Sequence, residues 1–421
     1  MKKVRWKMFT GFFMILSVIA LGSIVFFVFS YTQEHAGREA EGVEPNGEVY
    51  QEVQEEETIP QVPEEDESEE TPEEEPEEEE PEEQEEEEVP LMVYDGIFEL
   101  PIAGATGFAP VFMSVRASPD VHAASVLDLS PGSGFTILEE QEEWWQIEVE
   151  GLAGWVLHAY CFINLPDVMP SIVYNVTNAS SSVIRSSGVE VPRVTGHRLY
   201  QGCSYNPRLG REEYISAILY STAIRVADAQ RMALSEGNTL VLVEAFRPLS
   251  TQMLIVEALS ALAMENAVVH QGLNQGAWHM GWFVATGVSS HQTGAAIDVT
   301  LAQVNATETR GVGSYSITVI TDYTEFIMPS PIHELSVQAV VLASPMSTMD
   351  LTAWANATLA PTMNEAAMTL QRYLLGAGFT PLASEWWHFD DSHSAHRIRY
   401  NSGNGDFVLS EVFSRVPEGI E

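Results

Sequence analysis

Apolar and polar positions divide the chain into regions with different periods. From about Met8 to Tyr31 the residues are almost all apolar, in MFTGFFMILSVIALGSIVFFVFSY. That length suits a membrane-spanning helix, which needs about 20 residues. Residues 32–95 show no hydrophobic period and are dominated by runs such as PEEEPEEEEPEEQEEEE. Residues 105–166 contain short β-rich runs, VFMSVRASPD, SVLDLSPGSGFTILEE, EEWWQIEVE and GLAGWVLHAYC, separated by Gly, Pro and Asp. Their spacing of about 10 residues predicts a small all-β barrel or sandwich.

Beyond about Pro170 the pattern mixes helix and strand. REEYISAILYSTAIRVADAQRMALSEG carries Ile215, Ile218, Leu219, Ala223 and Val226 at helical spacing and ends at Gly237, a residue suited to closing a helix. NTLVLVEAF reads as a strand, and RPLSTQMLIVEALSALAMENAVV as a helix beginning near its proline. AAIDVTLA predicts a short strand, NEAAMTLQRYLLGAGF a helix and SEWWHFD an aromatic strand. Strands and helices in this irregular order predict an α+β domain over 170–415, an antiparallel sheet with helices. No internal repeat is present.

Charge and composition refine this division. The net charge is −42, and 28 of the 61 acidic residues fall between Glu34 and Glu88. A segment so charged and proline-rich cannot offset its ordering entropy by burial, so 32–95 is predicted to be a disordered linker. The remainder is acidic too, which argues against nucleic acid as a partner. Lys2, Lys3 and Lys7 are the chain's only lysines. They make residues 1–7 a basic tail, which the positive-inside rule places in the cytoplasm. Residues 8–31 then read as a signal anchor in the cell membrane, single-pass, with the later residues extracellular. Its apolar run exceeds a signal peptide's usual 7–15 or so residues and no clear cleavage site follows; a long cleaved signal is the alternative. Cys161 and Cys203 leave open either one disulfide or two free thiols.

Three stretches carry candidate chemistry. In SSHQTGAAIDV, His291 ends a serine-rich turn, Gly294 lets the chain bend, and Asp298 lies in the strand that follows. An imidazole and a carboxylate converging from one turn-and-strand unit can ligate a metal; a short strand with a buried, satisfied aspartate looks similar. In SEWWHFDD, Glu385 and His388 are three apart. On a regular strand they face opposite sides, so both reach one site only through a bulge or twist. The tryptophans between them could exclude water and raise the carboxyl pKa. In VLVEAFRP, Arg247 directly follows an apolar strand, where its fork can form a surface ion pair or bind an oxyanion in a cleft. His279, His393 and His396 are further histidines, the last two read as lying on an exposed loop beside solvated Asp390 and Asp391.

Two resemblances follow from these residues. The order VRASPD, a Gly-containing turn before FTILEE, then WWQIEVEGLAGWV resembles bacterial SH3-like domains. That resemblance covers about 105–166 and implies a domain that binds wall peptide or packs on the catalytic unit. Among Trp144, Trp145 and Trp155, at least two are expected in its core. SSHQTGAAID resembles the S-x-H-x-x-G-x-A-x-D pattern of the VanX/VanY-like zinc D-alanyl-D-alanine peptidases, SEWWH resembles their E-x-W-H pattern, and EAFRP their arginine strand, over about 170–400. The resemblance implies one Zn2+ held by His291, Asp298 and His388, with Glu385 as general base and acid. It also implies Arg247 steadying the scissile carbonyl oxygen and Ser289 helping to hold substrate. The substrate it implies is D-Ala-D-Ala or a peptidoglycan peptide. The double tryptophan of EWWH looks more like the dipeptidase branch, while a carboxypeptidase acting on stem peptides and an inactive wall-binding module are the alternatives. A serine D,D-peptidase needs an S-x-x-K motif, which the absence of lysine after Lys7 excludes.

Overall fold

The computed structural model describes residues 91–175, 183–200, 202–347 and 351–417. The predicted basic tail, the spanning segment 8–31 and the linker up to residue 90 lie outside the described residues. Among those described, no single helix is long and apolar enough to cross a membrane.

Two sheets carry most of the strand structure. The sheet that builds the site comprises β1 (Met92–Val93), β2 (Val173–Tyr174), β3 (Asn238–Glu244), β4 (Ala296–Val312), β5 (Tyr315–Glu325), β6 (Thr380–Leu382) and β7 (Glu385–Asp390). Its order is β1-β5-β4-β3-β2, with β7 also paired to β4 and β6 paired to β7. β4 is central. One edge of it meets β3, and the other meets β5 along its C-terminal part and β7 along its first three residues. β3 is buried on both faces from Thr239 to Glu244, which explains its continuous apolar run.

The second sheet has eight strands, in the order Ala217–Leu219, Phe162–Asn164, Thr106–Phe108, Gly134–Gln141, Trp144–Val149, Leu152–Leu157, Met113–Arg116 and Ser125–Leu129. Seven of them come from the β-rich region read from sequence. Trp145 and Trp155 are buried and Trp144 is half-buried, so two of the three tryptophans are core.

The expected architecture is corrected here. The described residues form a mixed α+β protein with several sheets and few helices, not an antiparallel-sheet peptidase domain preceded by a self-contained all-β barrel. The site sheet is not purely antiparallel, because β1 pairs with β5 and β2 with β3 in parallel. The eight-stranded sheet is not completed within 105–166, because Ala217–Leu219 adds to Phe162–Asn164. Residues of both sheets share one hydrophobic core, in which Trp145 meets Tyr220 edge-on with ring centres 4.7 Å apart. Burying side chains of this size is worth about 1.5–3 kcal/mol each, so the shared core ties the two sheets together.

Local differences have local causes. The helix expected over 211–237 runs only from Tyr220 to Ser235, because Arg211–Tyr214 and Ala217–Leu219 are claimed by strand pairing. The strand expected in AAIDVTLA extends to Val312, where its polar second half is half exposed in a long hairpin with β5. The helices expected near Pro248 and over 364–376 are present as Leu249–Glu265 and Glu365–Gly376. Cys161 is a buried free thiol.

Candidate metal centre

The site is assembled by β4 and its two neighbours. Glu244 on β3 pairs with Asp298 on β4, and Asp298 pairs with His388 on β7. Residues directly opposite on adjacent strands project to the same face, so the register alone brings two carboxylates and an imidazole into one row. His291 arrives from the turn ahead of β4. There the N–H of Gly294 donates to His291 O and the N–H of Ala295 to Ser290 O, at 3.2 and 2.9 Å. Gly294 has φ +67°, and a Cβ on it would lie 2.5 Å from the Phe162 ring and 2.9 Å from Leu219 N. Only glycine fits, because the turn packs directly against the eight-stranded sheet.

His291 Nε2, Asp298 Oδ1 and His388 Nδ1 form a close triangle. His291 Nε2 lies 3.2 Å from His388 Nδ1 and 3.3 Å from Asp298 Oδ1, and the latter two atoms are 3.0 Å apart. Tetrahedral ligands at bond lengths of 2.0–2.1 Å are about 3.3 Å from one another, so the three atoms are spaced as they would be around one metal ion. All three residues are buried. The imidazoles' remaining nitrogens are also engaged: His291 Nδ1 donates to Ala245 O at 2.7 Å, and His388 Nε2 donates to Asp390 Oδ1 at 3.0 Å. Such outer partners fix the tautomer and ring orientation of a ligating histidine. These buried groups can hold a metal ion.

The electrostatics fit a cation at that point. Burial opposes the charge on His388, but Asp390 and Asp298 outweigh it and hold the imidazole well above its ordinary value. Burial also pushes Asp298 up, yet His291 and hydrogen bonds from His291, His333 and His388 bring its carboxyl well below the usual range. A metal bound among these three atoms would take the place of the protons that the imidazoles otherwise carry there.

Glu385 and His388 line the same cavity, which has a volume of about 320 Å³. The bulge that their spacing requires is present: the β6–β7 register shifts between Pro381 and Leu382, so Pro381 pairs with Phe389 but Leu382 with Glu385. Trp386 is driven into the core, where its indole N–H donates to Ser330 Oγ at 3.0 Å. Trp387 is also buried and contributes to the cavity wall. Burial first, with Asp298 and Asp390 adding to it, raises Glu385 to about 8, while His388 and Arg247 oppose the shift. Among the described residues no hydrogen bond occupies its carboxylate.

A stability prediction follows for the metal-free protein. The folded Glu385 carboxyl titrates near 8 against an ordinary 4.5. Its contribution to stability is thus fully present below about pH 4.5 and is lost as pH rises through about 8. Urea unfolding with a chelator present is expected to show wild type losing stability relative to Glu385→Gln from about pH 5 to about pH 9. Parallel pH profiles for the two proteins would contradict the shift.

Arg247 follows β3 and reaches the cavity. Its guanidinium pairs with Glu244, lies 3.3 Å from Asp298 Oδ2, and donates to Gln252 Oε1 at 2.6 Å. Its buried Nε has no hydrogen-bond partner among the described residues. Ser289 also borders the cavity, but its hydroxyl donates to Gln292 Oε1 at 2.8 Å, so it braces the His291 turn. All six predicted residues thus meet at one cavity.

Other expectations fall differently. His279, His393 and His396 are exposed and belong to no metal-capable group. His393 and His396 lie on a helix, Ser392–Ile398, and not on a loop. Asp391 is buried and Asp390 half-buried, so neither is a freely solvated loop carboxylate. Asp390 accepts from His388 and Ser290, and fully buried Asp391 pairs with Arg225 and caps that helix. Sequence reasoning missed three contributors. Glu244 was signalled by its place in VLVEAFRP beside Arg247, and Asp390 by lying two residues, one strand period, past His388. His333 had no such signal. No family model matches the chain, and no curated protein matches it.

Proposed function

We propose that this chain is a zinc-dependent metallopeptidase that hydrolyses the D-Ala-D-Ala bond, a D-alanyl-D-alanine dipeptidase of peptidoglycan metabolism. The observation that carries the reading is the triangle of His291 Nε2, Asp298 Oδ1 and His388 Nδ1, at 3.0–3.3 Å, opening on a cavity that also holds Glu385 and Arg247. Two imidazoles and one carboxylate with a further position open to the cavity is a donor set that suits catalytic zinc. The choice of D-Ala-D-Ala rests on the motif resemblance. The cavity volume, at the lower end of the roughly 300–1,000 Å³ of small-molecule sites, accords with a short peptide.

Bound zinc supplies a water of lowered pKa and polarises the scissile carbonyl. Glu385, unencumbered by hydrogen bonds and beside the ligands, takes the proton from the attacking water. The same carboxyl returns that proton to the leaving amine, so the residue ends as it began. Arg247, whose side chain reaches the cavity, would steady the oxygen that becomes negative. Glu244 holds the guanidinium in place, and Trp387 keeps bulk water from the wall of the cavity.

The test is to incubate the zinc-loaded full chain separately with D-Ala-D-Ala and with a pentapeptide ending in D-Ala-D-Ala, and to measure released alanine. Release from the dipeptide is expected. Release from the pentapeptide alone would move the assignment to carboxypeptidase, and release from neither would overturn it.

A further inference from the structure

His333 touches the metal centre from a stretch in which the sequence shows no recognisable motif. It is buried, borders the cavity and donates from Nε2 to Asp298 Oδ2 at 3.1 Å. Its backbone is in the left-handed region, at φ +60°, a conformation that costs a non-glycine residue about 1 kcal/mol or more. The surrounding chain enforces it. Arg185 N donates to His333 O at 3.1 Å and Leu335 N to Arg185 O at 2.7 Å. The next side chain, Glu334, accepts from the backbone N–H groups of Ser187 and Gly188. A strained residue held by its neighbours and aimed at a buried carboxylate indicates that the position of its ring matters.

We propose that His333 is a positioning residue of the metal centre: its Nε2–H holds Asp298 Oδ2, so that Oδ1 alone turns to the ion. The inference rests on the metal reading of His291, Asp298 and His388. A carboxylate can bind a metal through one oxygen or both. Here Oδ2 already receives His333 and Arg247, whereas Oδ1 faces His388 and His291. His333 makes the shorter of the two Oδ2 contacts, and Arg247 is shared with Glu244. Glu244, Asp298 and His333 could themselves group around a second ion. The guanidinium of Arg247 already lies against both of those carboxylates and supplies a permanent positive charge there, which makes His333 a donor to Asp298 and not a ligand.

Zinc affinity of the full chain, measured by competition with a chromophoric chelator, tests this. Wild type is expected to bind one zinc per chain, and His333→Ala to bind it about 10–100-fold more weakly. His333→Gln, which keeps an N–H donor of similar reach, is expected to recover most of that loss. Both variants carry the same left-handed backbone, so a defect from strain alone would appear in both. Unchanged affinity in His333→Ala would overturn the proposal, as would equal loss in the two variants. Two zinc ions in wild type falling to one in His333→Ala would overturn it in favour of a second metal. A wild-type chain that binds no zinc would instead overturn the metal reading beneath it.

Discussion

Glu385→Gln is expected to lower turnover of D-Ala-D-Ala, the proposed substrate, by about 10²–10⁴-fold, the contribution typical of a positioned general acid–base, and to leave the proposed zinc bound at full stoichiometry. Glutamine keeps the shape of the side chain but cannot take a proton. Glu385 is not part of the ligand triangle, so its loss does not open the metal's coordination. It occupies a bulge whose tryptophans are buried independently of its charge, so the fold is expected to survive. The check is a steady-state rate for released alanine together with elemental zinc analysis on one preparation. Activity within a few-fold of wild type would remove Glu385 from the mechanism, whereas zinc loss would make it a structural part of the centre.

Asp298→Ala is expected to have the largest effect on both metal content and stability. Asp298 is the point where the whole cluster meets, contacting His291, His333, His388 and Arg247. Removing it takes away one of the three proposed ligands and leaves the cationic groups around it without their carboxylate partner. Breaking a buried pair in this way costs about 3–5 kcal/mol. The variant is therefore expected to purify without zinc and to unfold at a markedly lower urea concentration, measured with wild type as apo protein so that lost metal does not enter the comparison. Wild-type stability in the apo comparison would show that the cluster is not the electrostatic hub described above.

Legibility in the sequence followed the range of the interactions. His291, Asp298, Glu385, His388 and Arg247 were readable because each belongs to a short motif whose residue types have a chemical reason to be together. The need for a bulge between Glu385 and His388 was readable from strand period alone, and it is present at Pro381/Leu382. What could not be read was pairing between distant segments. Ala217–Leu219 looked helical because its apolar residues continue the spacing of the following helix, yet its edge pairs with Phe162–Asn164. That one pairing merges the β-rich region with the later chain and overturns the expected separate barrel. The parallel additions of Met92–Val93 and Val173–Tyr174 are two-residue strands with no pattern of their own. His333 was invisible for a related reason: its role depends on the backbone contact with Arg185, almost 150 residues earlier.

X-ray absorption at the zinc edge of the zinc-loaded full chain addresses the ligand set most directly. The structure predicts a first shell of nitrogen and oxygen at about 2.0–2.1 Å, two of the donors imidazole, and no sulfur near 2.3 Å. A sulfur shell, a single imidazole, or a chain that retains no zinc to measure would contradict a centre built from His291, Asp298 and His388.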